Sequence, residues 1–357
     1  MRAARVGLWV LLAVALVDCA KPPKSKAEKK PPPEPTDPVS KIKKVVRQSY
    51  DAVCSLEPER LEDLMIDQVV GFGFGPVDYV QNRKALIDEA RQQLLPFGLH
   101  GDTLTVLKSR PRVGLADDGQ SAWVWDFPRI EQERGNGKGS RIWLPRVTMH
   151  LVLDGRKWRI DAFHISYGYP DADLYAAEAE KSLVSPATLD LDKGPNSDQA
   201  VGLAKRLLED ITVKVDRVAD HDEVLLLGTD PGDVFEGGRA FKDFARPKLA
   251  ELTKAPFSLR MDGGPVARLA PGGKTAWVFA TVVLRLGAGK NQKTLVPFRA
   301  FWVFADKGGM LDLVLEHQSL ALKVEQRRPA TADELKALKD DPPPTAASSA
   351  DGGTEKK

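Results

Sequence analysis

Cysteine and histidine are scarce in this sequence. Its 357 residues include two cysteines, Cys19 and Cys54, and five histidines. Two cysteines cannot build a disulfide framework or a cysteine-rich zinc or iron–sulfur site, and five histidines leave little for a histidine-built metal centre. The sequence also lacks a Walker loop, a His-Glu-x-x-His pair and a Gly-x-Ser-x-Gly elbow. We therefore expect no metal and no cofactor.

An excess of charge of one sign and long hydrophobic runs are missing as well. The chain has 52 Lys and Arg against 50 Asp and Glu, a formal net charge of +2. Nucleic-acid-binding proteins normally show a concentrated basic field, so we expect no nucleic-acid partner. Beyond the first twenty positions no apolar run reaches the roughly 18 residues of a spanning helix. The length leaves room for about two ordinary domains.

The first 19 residues have the pattern of an export signal. An unbroken apolar run at 6–17 follows two arginines; it suits a signal peptide and is too short to span a bilayer. The segment Leu16-Val17-Asp18-Cys19 resembles a bacterial lipobox, whose cysteine becomes diacylated, although Asp18 stands where a small residue is usual. The alternatives are an ordinary signal peptide or an uncleaved anchor, with Cys19 incidental.

Residues 20–39 are rich in lysine and proline and cannot bury apolar surface, so they should stay extended and solvated. Such a segment suits a tether between a lipid and a folded body. With Ala20 after Cys19, the lipoprotein resemblance implies export to the outer membrane. We expect a location in the bacterial cell envelope, lipid-anchored on the periplasmic side of the outer membrane, or else periplasmic. Cys54 is expected to be a small buried residue on a helix.

The body of the chain repeats itself. Three short patterns recur in the same order, at offsets of 155, 154 and 153 residues. They are Ala90–Leu94 with Ala245–Leu249, Ala122–Val124 with Ala276–Val278, and His164–Ser166 with His317–Ser319. Matches that stay in order and nearly in phase indicate a duplicated domain with small deletions.

Each copy has helical patterns first and four strands afterwards. In the first copy we expect helices at 38–56, 59–66 and 83–95, an apolar stretch at 69–75, and strands at 103–114, 120–132, 141–153 and 157–167. In the second copy we expect helices at 198–218 and 239–252, an apolar stretch at 225–228, and strands at 257–269, 274–286, 294–305 and 309–321.

This layout predicts an α+β fold of two tandem cone-shaped barrels, each with three helices packed on a curved antiparallel sheet and an apolar pocket at its open end. The tails should be disordered. The expected boundaries are a signal peptide at 1–19, a tether at 20–39, a first domain at 40–168, a linker at 169–197, a second domain at 198–322 and a tail at 323–357.

The end of the first copy carries a family resemblance. An apolar run, the pair Asp154-Gly155, the segment Lys157–Ile160 and then His164-x-Ser166 resemble the last two strands of SnoaL-like domains of the nuclear-transport-factor-2-like superfamily. The strand around Trp123 resembles the strand before them. The resemblance implies the cone fold. It does not imply one activity, because the superfamily includes isomerases, hydrolases, dehydratases and binding domains without chemistry.

Strand alternation suggests a site. If Asp154-Gly155 forms a two-residue turn, Trp158 shares an apolar face with His164 and Ser166. The opposite face, with Thr148, His150 and Asp161, should meet solvent, and Glu316 should point away from the face of His317. The candidate pocket residues are His164, Ser166, Trp123, Trp158, His317, Ser319 and Trp277. Alternatively, each histidine bonds backbone at the rim of its cone.

No catalytic residue is predicted. The inward positions identified here contain no acid: Asp126 shares the phase of Ala122 and Val124 but has Ala280 as its equivalent in the second copy. Asp67 and Asp230 are further candidates, although an exposed helix end or loop explains Asp67 more simply, and a turn or helix cap Asp230. We therefore expect a non-enzymatic cell-envelope lipoprotein, held to the membrane by its N-terminal lipid, that binds a small apolar ligand or an envelope protein. The alternatives are an isomerase or hydrolase with a pocket in the first copy, and a structural or assembly factor.

Overall fold

The structure is a computed structural model, and it describes residues 36–75, 78–135, 137, 139–168, 195–254, 257–286, 293–294, 297–320 and 329–331. The expected signal peptide, most of the tether, nearly all of the linker and most of the C-terminal tail lie outside the described residues. Within the described part, none of the helices is long and apolar enough to cross a membrane.

The first half of the described chain, residues 36–168, has two helices, one 3₁₀ helix and nine strands. They are α1 (Pro38–Cys54), the 3₁₀ helix Pro58–Leu64, β1 (Met65–Phe72), β2 (Tyr79–Val80), α2 (Arg83–His100), β3 (Thr103–Lys108), β4 (Arg112–Leu115), β5 (Ser121–Asp126), β6 (Arg129–Glu133), β7 (Ser140–Trp143), β8 (Arg146–Asp154) and β9 (Lys157–Ser166). The main sheet has the order β2-β1-β9-β8-β5-β4, and β3-β6-β7 form a separate smaller sheet.

The second half, residues 195–320, repeats this order. Its elements are α3 (Pro195–Glu209), α4 (Ile211–Arg217), β10 (Leu225–Leu227), β11 (Val234–Glu236), α5 (Gly238–Ala245), the 3₁₀ helix Arg246–Lys248, α6 (Leu249–Leu252), β12 (Phe257–Leu269), β13 (Thr275–Leu286), β14 (Lys293–Thr294), β15 (Phe298–Lys307) and β16 (Met310–Ser319). Its sheet has the order β11-β10-β16-β15-β13-β12, with β14 paired to β13. In each half the first strand runs parallel to the last strand, β1 to β9 and β10 to β16.

Local chemistry explains the helix boundaries. Asp37 caps α1 by accepting a hydrogen bond of 2.8 Å from the Ser40 amide, and Pro38 occupies the first turn. The helix predicted at 198–218 divides at Asp210, whose side chain caps α4 by accepting from the Thr212 amide at 2.8 Å. The helix predicted at 239–252 divides around Pro247, because proline lacks an amide donor.

Prolines also divide the strands of the first half. Its first three predicted strands each appear as two pieces, and the breaks fall at Pro111, Pro128 and Pro145. Proline cannot donate to a strand ladder, so pairing stops there. In the second half β13 runs uninterrupted across Val282, which lies 154 residues after Pro128. This is why the small sheet β3-β6-β7 is separate in the first half.

Two hydrophobic cores follow from this arrangement. One lies between α1 and the inner face of the first sheet and includes Ile42, Met149 and Ile160. The other fills the second half and continues onto the outer face of the first sheet at Phe72 and Trp125. The two sheets therefore pack against each other. The predicted α+β class is confirmed.

Candidate functional site

A β-bulge decides where the predicted site residues of the first half point. Leu151 pairs with Ile160, but the next residue, His150, pairs with Ala162, so Asp161 is an extra residue in β9. One extra residue reverses the alternation of side chains along a strand. Trp158 and Ile160 consequently face the first core, whereas Ala162, His164 and Ser166 lie on the outer face. The expectation of a single continuous face was wrong for this reason.

The second half has the same irregularity. Val303 pairs with Leu315 and Phe304 with Leu313, which leaves Val314 as the extra residue of β16. His317 and Ser319 therefore leave the interior of their own half. Glu316 lies on the face opposite His317, as expected, but that face is the interior of the second half.

The two predicted His-x-Ser segments meet between the sheets. The rings of His164 and His317 stack with centroids 3.9 Å apart and planes at 18°. A hydrogen bond of 2.7 Å joins His164 Nε2 to Ser319 Oγ, and another of 2.7 Å joins His317 Nε2 to Ser166 Oγ. All four side chains are buried. Through its Nε2, each histidine thus hydrogen-bonds a serine of the other half rather than rim backbone of its own.

Both histidines are held neutral. Burial lowers the pKa of His164 well below its ordinary value, and the charges of Arg299 and Arg146 lower it further. Burial likewise lowers the pKa of His317, with smaller contributions from His164 and Arg146. Thr148, expected at the solvent, is buried and hydrogen-bonds His317 Nδ1 at 2.8 Å.

Two buried arginines make reciprocal contacts between the halves. Arg146 donates to the carbonyl oxygens of Gly228 at 2.8 Å and Gln318 at 3.1 Å. Arg299 donates to the carbonyl oxygens of Gly73, at 3.0 Å, and Gly75. Burial lowers the pKa of Arg146 to about 10, which still leaves it charged at neutral pH. Sequence reasoning missed both, although they stand 153 residues apart, as the two histidines do.

The predicted tryptophans divide between two environments. Trp123 lies on the outer face of the first sheet and donates its Nε1 hydrogen to the Glu223 carbonyl at 2.5 Å. Trp277 lies on the facing side of the second sheet and donates to Asp161 Oδ2 at 2.6 Å. Trp158 packs inside the first core. The contact between sheets therefore contains six of the seven candidate residues.

Asp161, expected to be solvated, is the centre of a buried network. Its side chain is 1% exposed and accepts hydrogen bonds from Trp277 and from Arg268. Its Oδ2 also bonds His150 Nδ1 at 3.1 Å. Burial alone would raise the pKa of Asp161, but the hydrogen bond from His150 and the charge of Arg268 outweigh it and lower the pKa. The carboxylate is therefore charged and fully paired between the halves.

A carboxylate–imidazole–hydroxyl chain continues from Asp161. His150 Nε2 lies 2.9 Å from Thr275 Oγ1, which hydrogen-bonds Ser121 Oγ at 2.7 Å. The order of groups is that of an activated nucleophile. However, His150, Thr275 and Ser121 are each 0% exposed, and a nucleophile must be reached by its substrate. The chain of hydrogen bonds therefore joins the two sheets and has no access for chemistry.

The inward carboxylate of the first half is Asp126. It is 3% exposed and accepts from Ser109 Oγ at 2.5 Å, from the Arg110 and Phe127 amides at 2.9 Å each, and from Tyr50 Oη at 3.2 Å. Burial raises its pKa, and these hydrogen bonds oppose the rise. Four donors saturate the carboxylate, which ties the end of β5 to α1.

The inward carboxylate of the second half is Glu316. Lys214 Nζ lies 2.5 Å from Oε2, while Trp302 Nε1 and Gln318 Nε2 donate to Oε1 at 3.0 and 2.7 Å. Within the described ranges, no group of three His, Cys, Asp or Glu could hold a metal ion. Cys54 ends α1 half-buried, and burial raises the pKa of its thiol to about 11.

Comparison with known proteins gives one family match. Residues 42–170 match the model of the SnoaL-like domain, so this part of the chain carries a SnoaL-like domain. No curated protein matches the sequence.

Three solved structures illustrate the structural similarity. An NTF2-like protein of unknown function from Pseudomonas putida KT2440 is 15% identical over 43% of this chain and 95% of its own, with a TM-score of 0.31. An NTF2-like protein with a cystatin-like fold from Novosphingobium aromaticivorans is 15% identical over 39% of this chain and 86% of its own, with a TM-score of 0.31. A protein from Streptomyces avermitilis, provisionally described as a dehydratase of the NTF2-like family, is 13% identical over 36% of this chain and 95% of its own, with a TM-score of 0.31.

Proposed function

We propose that this chain is a non-enzymatic, lipid-anchored protein of the bacterial cell envelope that binds a small apolar molecule or an envelope protein. A tandem duplication of a SnoaL-like domain would supply both halves of a permanent internal dimer. The observation that carries the proposal is the reciprocal set of contacts between the two sheets.

The reciprocity supports the duplication. In a twofold contact, residue i of one subunit meets residue j of the other, and j meets i in return. His164 with Ser319 and His317 with Ser166 have this form. Ser121 bonds its own counterpart Thr275, which lies 154 residues later. In this proposal the second half takes the place of a second subunit.

The state of the buried polar groups supports a role without chemistry. Asp126 and Glu316 each accept three or more hydrogen bonds or ion-pair contacts from their own half. The chain from Asp161 to Ser121 is sealed between the sheets. A catalytic base needs a free position within reach of its substrate, and these groups already have partners.

The remaining surfaces favour binding. The outer faces of both sheets are occupied by each other, and α1 and α3 pack on the inner faces. The outward sides of the helices and the edges of the two cores are left for a ligand or partner. In the first half, half-buried apolar side chains from several elements surround the core, among them Leu86, Val106 and Val113. The proposed apolar ligand would bind among these side chains.

The proposed lipid anchor and cellular location are tested by mass spectrometry and membrane fractionation of the mature protein from a Gram-negative host. We expect an N-terminal Cys19 that carries acyl chains and fractionation with the outer membrane. The Cys19→Ala variant should remain unacylated and leave that fraction. An unmodified N-terminus elsewhere in the wild-type chain contradicts the anchor.

Binding is tested with N-phenylnaphthylamine, an apolar dye whose fluorescence rises in dry sites. The mature chain should show saturable enhancement with at most two dyes per chain, one for each half. Non-saturable enhancement, or none, rejects the apolar ligand and leaves the protein partner. Crosslinking in intact cells would then have to yield a discrete complex, and its absence would reject the binding role.

A second function is favoured by one observation. Asp126 is a buried carboxylate with a raised pKa on the inner face of the first sheet, next to the Tyr50 hydroxyl. That combination fits a hydrolase or isomerase confined to the first half. If the wild-type chain hydrolyses styrene oxide and the folded Asp126→Asn variant does not, this alternative replaces the binding role.

A further inference from the structure

We propose that the stacked pair His164–His317 makes the contact between the two halves sensitive to acid, so that protonation of the pair separates the sheets while each half stays folded. This inference concerns only the contact between the two sheets. It does not depend on the proposed ligand or on the proposed location in the cell envelope. It rests on the geometry of the pair and on the charges around it.

The pair is enclosed by apolar and cationic groups. Phe72 from β1 and Phe279 from β13 contact the ring of His164, with centroid distances of 5.6 and 6.4 Å. Arg146 from β8 and Arg299 from β15 are the charged groups whose fields act on it. The polar contacts of the two rings are the hydroxyl groups of Ser166, Ser319 and Thr148.

Nearby acids are engaged elsewhere. Asp161 from β9 pairs with Arg268 and His150. Glu316 neighbours His317 in sequence but pairs with Lys214 inside the second half. Asp230 and Asp233, on the loop between β10 and β11, act on Arg146. Among the described residues, no carboxylate hydrogen-bonds either imidazole of the pair.

A proton on the pair would therefore have no carboxylate partner while the sheets are in contact. A proton on His164 adds a positive charge in the field of Arg299 and Arg146, and a proton on His317 adds one in the field of Arg146. A second proton puts two cations face to face at a ring separation of 3.9 Å. Like charges at this distance in a medium of low dielectric repel strongly. Separation of the sheets exposes both rings to water, which relieves the repulsion.

The direction of the pH dependence follows from linkage. An exposed histidine has a pKa of about 6.5, and burial lowers the pKa of both rings in the closed form. The neutral rings therefore favour contact at any pH above about 6.5, and this preference is lost as the pH falls below that value. Below pH 6.5, each ring lowers the equilibrium constant for contact between the sheets about tenfold per pH unit. The two rings together lower it about a hundredfold per pH unit.

The test measures the mature chain between pH 7.5 and 4.5. Small-angle X-ray scattering should show an increase in radius of gyration in this range, while far-ultraviolet circular dichroism stays constant. The double variant His164→Gln/His317→Gln keeps side chains that can bond the serines but cannot titrate. It should open at a pH at least one unit lower. The control His100→Gln alters a histidine at the end of α2 and should open as the wild type does.

Several results would overturn the proposal. These are a constant radius of gyration down to pH 4.5, loss of circular dichroism together with expansion, or equal midpoints for the wild type and the double variant. If the double variant does not fold, histidine NMR of the wild type decides. Two of its five histidine signals should keep the shifts of neutral rings until opening and then change together. If all five signals titrate independently near pH 6.5, before the radius of gyration increases, the proposed acid-sensitive contact is rejected.

Discussion

Removal of the Asp161 carboxylate should weaken the contact between the halves more than any surface change. In Asp161→Ala the indole of Trp277, the guanidinium of Arg268 and the ring of His150 lose a shared partner. Arg268 is only 12% exposed at its side chain, so water replaces the lost partner incompletely. The variant therefore leaves donors buried and unsatisfied at the interface.

The size of the effect follows from the burial. Removal of one member of a buried, hydrogen-bonded charge pair costs about 3–5 kcal/mol of unfolding free energy. Asp161→Asn keeps one acceptor oxygen and should cost roughly half of that. The matched control is Asp154→Ala, which removes an exposed carboxylate 3.4 Å from Arg159 in the same hairpin. An exposed pair of this kind is worth at most about 0.5–1 kcal/mol.

Urea unfolding monitored by circular dichroism measures these differences at pH 7.5. The deficit of Asp161→Ala should shrink in acid. The pKa of Asp161 is lowered in the folded chain, so its contribution is present above the ordinary value near 3.9 and is lost as the pH falls through the folded value. A deficit below about 1 kcal/mol at pH 7.5, no larger than that of Asp154→Ala, would refute a structural role for this network.

Two further predictions concern the contact and the local backbone. Arg146→Met and Arg299→Met each leave loop carbonyls of the opposite half without donors, so urea unfolding should show losses of about 1–3 kcal/mol each. The exposed control Arg60→Met should cost under about 0.5 kcal/mol, and equal losses for all three would contradict the reciprocal contact. Gly101 ends α2 at φ +66°, so Gly101→Ala should lower the unfolding free energy by about 1 kcal/mol. Gly202→Ala within α3, where a Cβ meets nothing within 4 Å, should raise it by about 0.5–1 kcal/mol; calorimetric shifts of the same sign would contradict this assignment.

The periodicity of apolar residues predicted the bounds of helices and strands better than it predicted which strand face each side chain lies on. The helix expected at 38–56 is observed as Pro38–Cys54, and the strand expected at 257–269 is observed at those residues. The helix has a regular apolar pattern and no interior breaker. The strand contains Pro265, but the bulge between Asp262 and Val266 leaves that proline out of the ladder, so the strand continues on both sides of it. The strand breaks at Pro128 and Pro145 are predictable from the sequence, since proline withdraws a ladder donor.

The candidate site could be predicted in its residues but not in its location. His164, Ser166, His317 and Ser319 are brought together, yet between the halves rather than inside each one. A polar strand face in the sequence can either be exposed to water or pack against polar groups of another sheet, and the pattern is the same in both cases. Hydropathy therefore could not reveal that Asp161 is buried against the second sheet.

The two bulges explain why an apolar strand can end in polar contact residues. Before Asp161, β9 must present apolar side chains such as Ile160 to α1; after it, His164 must reach Ser319 in the other sheet. Strict alternation cannot do both, because residues 160, 164 and 166 would then share one face. One inserted residue reverses the phase, and Val314 does the same in β16. Without the insertion each imidazole would lie under the helices of its own half, away from the serine that now satisfies it. The bulge is thus the local feature on which the contact between the two halves depends.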